Sequence, residues 1–175
     1  MKIFKNRAFA IAFCAVVCIG ALLLGARRSM VRRYNKVAKE YSGGLEVLLE
    51  EKAGLASNFL VLARRYPGAD AALTAELEAS VAALRGAEGP ASAYAASTRL
   101  DTAVTALYYE LDELELSERD EGLLASNLDN LKAKNIQIGY SEYNDTARRY
   151  NDKVSGPVSG FLRRAVGVRL AELFS

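Results

Sequence analysis

Apolar residues follow two patterns along the chain: one unbroken run near the N-terminus, then stripes that recur with alternating steps of four and three. The run covers residues 8–26, AFAIAFCAVVCIGALLLGA, and contains no charge. As a helix it measures about 28 Å, close to the thickness of a bilayer's hydrocarbon core. It is therefore expected to be a transmembrane helix. The competing reading is a cleaved signal peptide, with Lys2, Lys5 and Arg7 as its basic start, but the run is long for that and Leu24-Gly25-Ala26 is a poor cleavage site.

Beyond the run, Tyr34, Ala38, Tyr41, Leu45, Leu48, Lys52, Leu55, Phe59, Leu62 and Tyr66 predict one face of a long helix that packs in coiled-coil fashion, interrupted only by Lys52. Tyr66-Pro67-Gly68 ends it. A shorter helix is expected over 70–87, with Leu73, Leu77, Val81 and Leu84 on one side, before the glycines and proline at 86–90 break the pattern. A third helix is predicted over 91–116. Ser117 and Asp120 resemble a capping box opening a fourth, over 118–155, with Ile136, Tyr140, Tyr143, Ala147, Tyr150 and Val154 inward.

The expected fold is thus all-α: an N-terminal transmembrane helix followed by an antiparallel up-down-up-down four-helix bundle with long first and fourth helices. The divisions are a short tail at 1–7, the span at 8–26, the bundle at 27–157 and a basic amphipathic C-terminal segment at 158–175. Because the first and fourth helices outreach the others, a two-helix stem is expected next to the membrane, with Gly43 and Gly44 facing the rings of Tyr140 and Tyr143.

Composition agrees with helices: 51% of the residues are hydrophobic, Trp is absent and there are three prolines. A net charge of +2 is too small to suggest a nucleic-acid partner. Three basic residues precede the span while Arg27, Arg28, Arg32, Arg33, Lys36 and Lys39 follow it closely, and the positive-inside rule then places the bundle in the cytoplasm. Arg163, Arg164 and Arg169 alternate with apolar residues near the C-terminus. With the juxtamembrane arginines they form a candidate membrane surface, and a plain C-terminal packing segment is the equal alternative.

The chain contains no histidine, and its two cysteines, Cys14 and Cys18, lie in the apolar run. This removes Ser-His-Asp and Cys-His catalysis and histidine metal sites. Carboxylates between Glu110 and Glu121 cluster at a helix junction, where they suit a helix N-terminus and a solvated face. The expectation is no catalytic residue, no cofactor and no metal. Lys52 is read as an amphipathic side chain whose stem covers apolar surface while its ammonium reaches water. The repeat Tyr143-Asn144 and Tyr150-Asn151, seven residues apart, is read as hydroxyls and amides that bond across the stem and fix helix register.

These residues together resemble the LemA family of bacterial membrane proteins. The likeness rests on Tyr143-Asn144-Asp-Thr-Ala147-Arg-Arg-Tyr150-Asn151, on Tyr34-Asn35, on Lys52-Ala-Gly-Leu55-Ala-Ser-Asn58-Phe59-Leu60, and on the ending from Gly167 to Phe174. Tyr140 stands where the family carries Arg, and Pro157-Val158 where it carries Phe-Pro. The resemblance implies a single-pass protein of the bacterial inner membrane with an antiparallel helical bundle. It implies no settled activity; genes of this family often accompany a membrane-embedded zinc protease, which suggests envelope quality control. The leading expectation is a non-enzymatic scaffold or adaptor for envelope proteins, with Tyr34, Asn35, Lys52, Asn58, Tyr143, Asn144, Tyr150 and Asn151 as its partner or structural motif. Homo-oligomers are compatible with it. The alternatives are a module that binds or shapes membrane and a ligand-sensing helical bundle.

Overall fold

A computed structural model describes residues 7–175; the expected N-terminal tail, apart from Arg7, lies outside the described residues. All regular structure among them is helical. The helices are α1 (Arg7–Glu40), α2 (Glu46–Ala63), α3 (Ala71–Arg85), α4 (Pro90–Asp112), α5 (Glu118–Gly139), α6 (Tyr143–Ser155) and α7 (Pro157–Ala165), with a π-helical turn at Tyr41–Leu45 between α1 and α2. The chain divides into two compact units. One comprises Asp145–Ala171 and the described residues up to Ala38, and the other comprises Lys39–Asn144 and Glu172–Ser175.

In the first unit, α1 carries the apolar run. It is the one helix among the described residues long and apolar enough to cross a membrane, and none of its apolar stretch is buried by protein. The helix α6 packs on α1 beyond the run, with Val37, Ala147 and Val154 buried. Here α7 ends in a Schellman motif: Gly167 takes φ +68°, its N–H bonds to the Arg164 carbonyl (3.3 Å), and the Val168 N–H reaches back to the Arg163 carbonyl (3.1 Å). Glycine enters that left-handed conformation without the clash a side chain would bring. From there the C-terminal tail runs without helix.

In the second unit, α2 packs on α3, α4 and α5, α3 packs on α4, and α4 on α5. The apolar stripes meet in a core that includes Phe59, Leu77, Leu100, Leu107, Leu111 and Leu124, all nearly inaccessible to solvent. Local chemistry sets the helix starts. The Asp70 carboxylate accepts the Ala72 N–H (2.6 Å), Pro90 occupies the first turn of α4, and the Ser117 hydroxyl accepts the Asp120 N–H (3.3 Å).

Two expectations fail for physical reasons. The single helix predicted over 118–155 is broken after Gly139. The Tyr140 and Ser141 N–H groups close onto the Ile136 and Ile138 carbonyls, and the Ser141 hydroxyl then accepts the Tyr143 N–H to start α6. Glycine weakens a helix and serine competes for its backbone groups. The break resets the helical phase, so Tyr140 is 83% exposed and Ile136 is exposed, whereas Tyr143 and Tyr150 are buried. Gly43 and Gly44, expected to admit large rings, face none: a Cβ at Gly43 would meet nothing within 4 Å, and one at Gly44 only the Glu40 carboxylate. They belong instead to the π-helical turn, where the backbone adds a residue to its repeat.

Candidate functional site

The Tyr-Asn repeat occupies the first nine residues of α6, and its polar atoms bond to the chain's own C-terminal end. They hold the main chain of the C-terminal tail. In the first unit the Tyr150 hydroxyl donates to the Arg169 carbonyl (2.8 Å). The Asn151 amide donates to the Ala171 carbonyl (2.9 Å) and accepts the Ala171 N–H (2.8 Å). The second unit repeats the arrangement: Tyr143 donates to the Glu172 carbonyl (2.7 Å), and Asn144 donates to the Phe174 carbonyl and accepts its N–H, both at 2.8 Å. An asparagine amide presents one donor and one acceptor side by side, and thereby pairs with a peptide as a neighbouring β-strand would.

Each tyrosine is braced by a second ring. Tyr34 meets Tyr150 edge-on with centroids 5.8 Å apart in the first unit, and Tyr41 meets Tyr143 at 5.4 Å in the second. Burial pushes the Tyr150 hydroxyl above its ordinary pKa, with Tyr34 adding to the rise and Arg163 opposing it. Tyr41 is raised as well, by burial first and then by Glu46 and Glu172. Neutral phenols are the state that can donate. The periodicity of the sequence placed Tyr34 and Tyr41 in the stripe, but it carried no sign that the C-terminal residues return to α6. The two-helix stem is therefore a three-part arrangement in the first unit, with the tail as its third member.

Lys52 differs from its expectation. It is 1% exposed, and its ammonium is inside the protein rather than in water. Nζ donates to Asp101 Oδ2 (2.7 Å), Ser97 Oγ (2.7 Å) and the Ser97 carbonyl (3.3 Å), which uses all three of its protons. Asp101 Oδ1 accepts from Asn135 (3.0 Å), so α2, α4 and α5 share one network. Loss of hydration lowers the Lys52 pKa, and the bond and charge of Asp101 counteract that fall.

The acidic junction is used for structure too. Asp120 forms an ion pair with Arg65 (2.8 Å) and accepts the Tyr66 hydroxyl (2.7 Å), while Tyr66 accepts the Ser117 N–H (3.1 Å). The reciprocal half of a capping box is thus supplied by Tyr66, not by Asp120. The Tyr66 bond, helped by Arg65, holds the Asp120 carboxyl below its ordinary range despite its burial. Glu110 accepts the Asp70 N–H (2.8 Å), and Arg64 pairs with Glu78. Among the described residues no cluster of three or more metal-ligating side chains occurs.

The other predicted residues are dispersed. Asn35 is exposed, and Asn58 lies 3.5 Å from Asn127 beside a cleft of about 260 Å³ that Arg65 and Leu123 also line. Of the membrane-surface arginines, Arg33 shares a cleft of about 240 Å³ with Lys36, which follows the span with it, and with Arg149 and Lys153, two cations the sequence reading did not group with it. Arg27 and Arg169 line another, and Arg28, Arg32 and Arg164 are exposed. Arg163 is half-buried and donates to the Val168 carbonyl (3.2 Å), which ties it to the end of α7. No family model matches the chain, and no curated protein matches it either.

Proposed function

We propose that the chain is a non-enzymatic, single-pass protein of the bacterial inner membrane, akin to the LemA family, whose helices act as a scaffold or adaptor for envelope proteins. In this reading α2 to α5 form the up-down-up-down bundle, α1 crosses the bilayer, and the bundle lies in the cytoplasm. One observation carries it: Lys52, Asp120 and the tyrosines and asparagines of α6 spend their polar groups on the protein's own architecture. Lys52 joins helices, Asp120 anchors a loop, and the tyrosines and asparagines of α6 hold a tail. Such an interior supports holding rather than turnover, since catalysis needs polar groups aimed at a reacting atom.

Exposed positions then carry the partner surface. Photo-crosslinking residues at Ile136, Tyr140 and Tyr109, introduced one at a time in living cells, are expected to trap a reproducible protein adduct at one or more sites. Their failure at every site, in protein of normal abundance, sinks the adaptor. Single cysteines at Ser92 and Ser117, in a chain with Cys14→Ala and Cys18→Ala, test orientation: an impermeant maleimide is expected to label them only after lysis.

The membrane-surface alternative draws on the cationic cleft of the first unit. None of Arg33, Lys36, Arg149 and Lys153 forms an ion pair among the described residues, which leaves their charge for a headgroup phosphate. Flotation of residues 30–175 with anionic vesicles at low salt tests it, and no flotation removes it.

A further inference from the structure

The amphipathicity of α7 is reversed. A helix on the surface of a water-soluble protein turns its apolar side inward and its polar side outward. In α7 the outward arc carries Pro157, Val158 and Phe161, with Val158 73% and Phe161 70% exposed. Ser159, Gly160 and Arg163 are the buried or half-buried positions, and Leu162 lies at the margin. Val158, Phe161 and the exposed Ala165 follow at steps of three and four, so they share one face. An apolar face turned away from the protein calls for a covering that is not water.

The surroundings within the first unit say what that covering is. Here α6 runs antiparallel to α1: Tyr150 meets Tyr34, and further along Lys153 and Val154 line a cleft of about 450 Å³ with Ala26, Ser29, Met30 and Arg33. Ala26 is the last residue of the apolar run. The chain passes Val154 toward the level of that run and opens α7 at Pro157, so Val158 and Phe161 come early in the helix. The far end of α7 is held near the same level, where Gly167, Val168 and Arg169 line a cleft with Arg27, Val31 and Tyr34. From Ala26 to Val31 a helix along the bilayer normal rises about 7.5 Å, about the thickness of one headgroup layer. Charge agrees with this placement. Arg164 is exposed at the margin of the apolar arc, and Arg27, Arg164 and Arg169 form no ion pair among the described residues. Apolar side chains bordered by free guanidinium groups fit the boundary where acyl chains adjoin lipid phosphates.

We infer that α7 is an interfacial foot: it lies in the headgroup layer beside the end of the span, with Val158 and Phe161 among the upper acyl-chain segments and Arg164 level with the phosphates. The inference rests on the single-pass reading and adds to it a second contact with the same leaflet. A lone span is free to tilt and to turn about its axis, and a contact set to one side of it restricts both for the first unit.

The chain contains no tryptophan, so a single introduced one reports its own surroundings. Phe161→Trp and, separately, Val17→Trp at the middle of the run are made in the full chain. Each is reconstituted into vesicles of phosphatidylcholine and phosphatidylglycerol in equal parts, with bromine carried either near the top of the acyl chains or near their methyl ends. Phe161→Trp is expected to lose about half or more of its emission to the shallow bromine and less to the deep one, in keeping with a face buried about 5–10 Å into the boundary. Val17→Trp is expected to show the reverse order. Quenching of Val17→Trp alone overturns the foot and leaves the span standing; quenching of neither overturns both. Phe161→Trp emission that is shifted to the blue yet untouched by bromine overturns the foot as well, and assigns the apolar face to a second copy of the chain. Phe161 lies outside the core, so helical circular dichroism is expected to be retained. Should it be lost, Val158→Trp makes the same measurement one turn earlier, with the same outcomes.

Discussion

Inside the bundle, the Lys52 ammonium is held by Asp101 and Ser97; along α6, Tyr143, Asn144, Tyr150 and Asn151 hold peptide groups with no formal charge on either side. Both regions bury polar atoms, and both satisfy them. They differ in what remains when one partner is taken away. Removal of Asp101 strands an ion in a low-dielectric interior, whereas removal of one ladder member leaves a neutral group that can relax toward water. The bundle network is accordingly brittle and the ladder divisible.

The widest separation between them is expected from Asp101→Ala, which should destabilise the chain by about 2–3 kcal/mol. The figure is below the full cost of breaking a buried pair because the Asp101 side chain is 39% exposed. Lys52→Met, which removes the charge and keeps the volume, should lie within about 1 kcal/mol of the unaltered chain. Urea unfolding in detergent measures both. An equal loss from the two variants would show the network to be cooperative rather than a charge in need of a partner.

Asn144→Asp and Asn151→Asp come next, at about 1–3 kcal/mol each, since a carboxylate has no N–H to give and repels the tail carbonyl it faces. Faster exchange of the Phe174 and Ala171 amides, respectively, with the bundle amides unchanged, is the expected sign. Loss of protection throughout would make the ladder as brittle as the core.

Tyr143→Phe and Tyr150→Phe remove one neutral bond apiece and should cost about 0.5–1.5 kcal/mol, with ring packing retained. If Phe at either position costs as much as Asp at its asparagine neighbour, the division between tyrosine brace and asparagine grip fails.

The smallest effect is one of pH. Tyr150 is raised above the ordinary 10.0 by burial, so its contribution is fully present below that value and is lost as pH rises through the folded pKa. Tyrosinate absorbance and tail exchange should therefore change together above pH 10 in the unaltered chain. Asp120 has the opposite sign: its pKa is lowered, and its contribution, present above the unfolded carboxylate range, is lost as pH falls through the folded value. Acid should loosen the α5 start and leave the ladder intact.

Helix starts were legible in the sequence because they depend on near neighbours. Asp70, Pro90 and Ser117 each act within a turn. The break after Gly139 was legible only in part. Gly139 and Ser141 were in view, yet the apolar spacing from Ile136 to Val154 continues across them, and periodicity alone does not register a change of phase. The direction of the Lys52 side chain was not legible at all, because its partners lie 45 and 49 residues away.

The amino-acid sequence by itself determined that this is a helical protein with an apolar run long enough for a bilayer, and that tyrosine and asparagine recur every seven residues on one helix. These are properties of composition and short-range period, and they hold whatever the helices pack against. Only the tertiary structure decided what the repeat grips. A tail carbonyl has no signature in sequence, and the choice of Arg169, Ala171, Glu172 and Phe174 as partners depends on a chain reversal after Gly167 that brings main chain within 3 Å of α6. The same holds for Lys52: burial of a charge depends on a carboxylate from a distant helix arriving to meet it, and no local pattern of residues encodes that meeting.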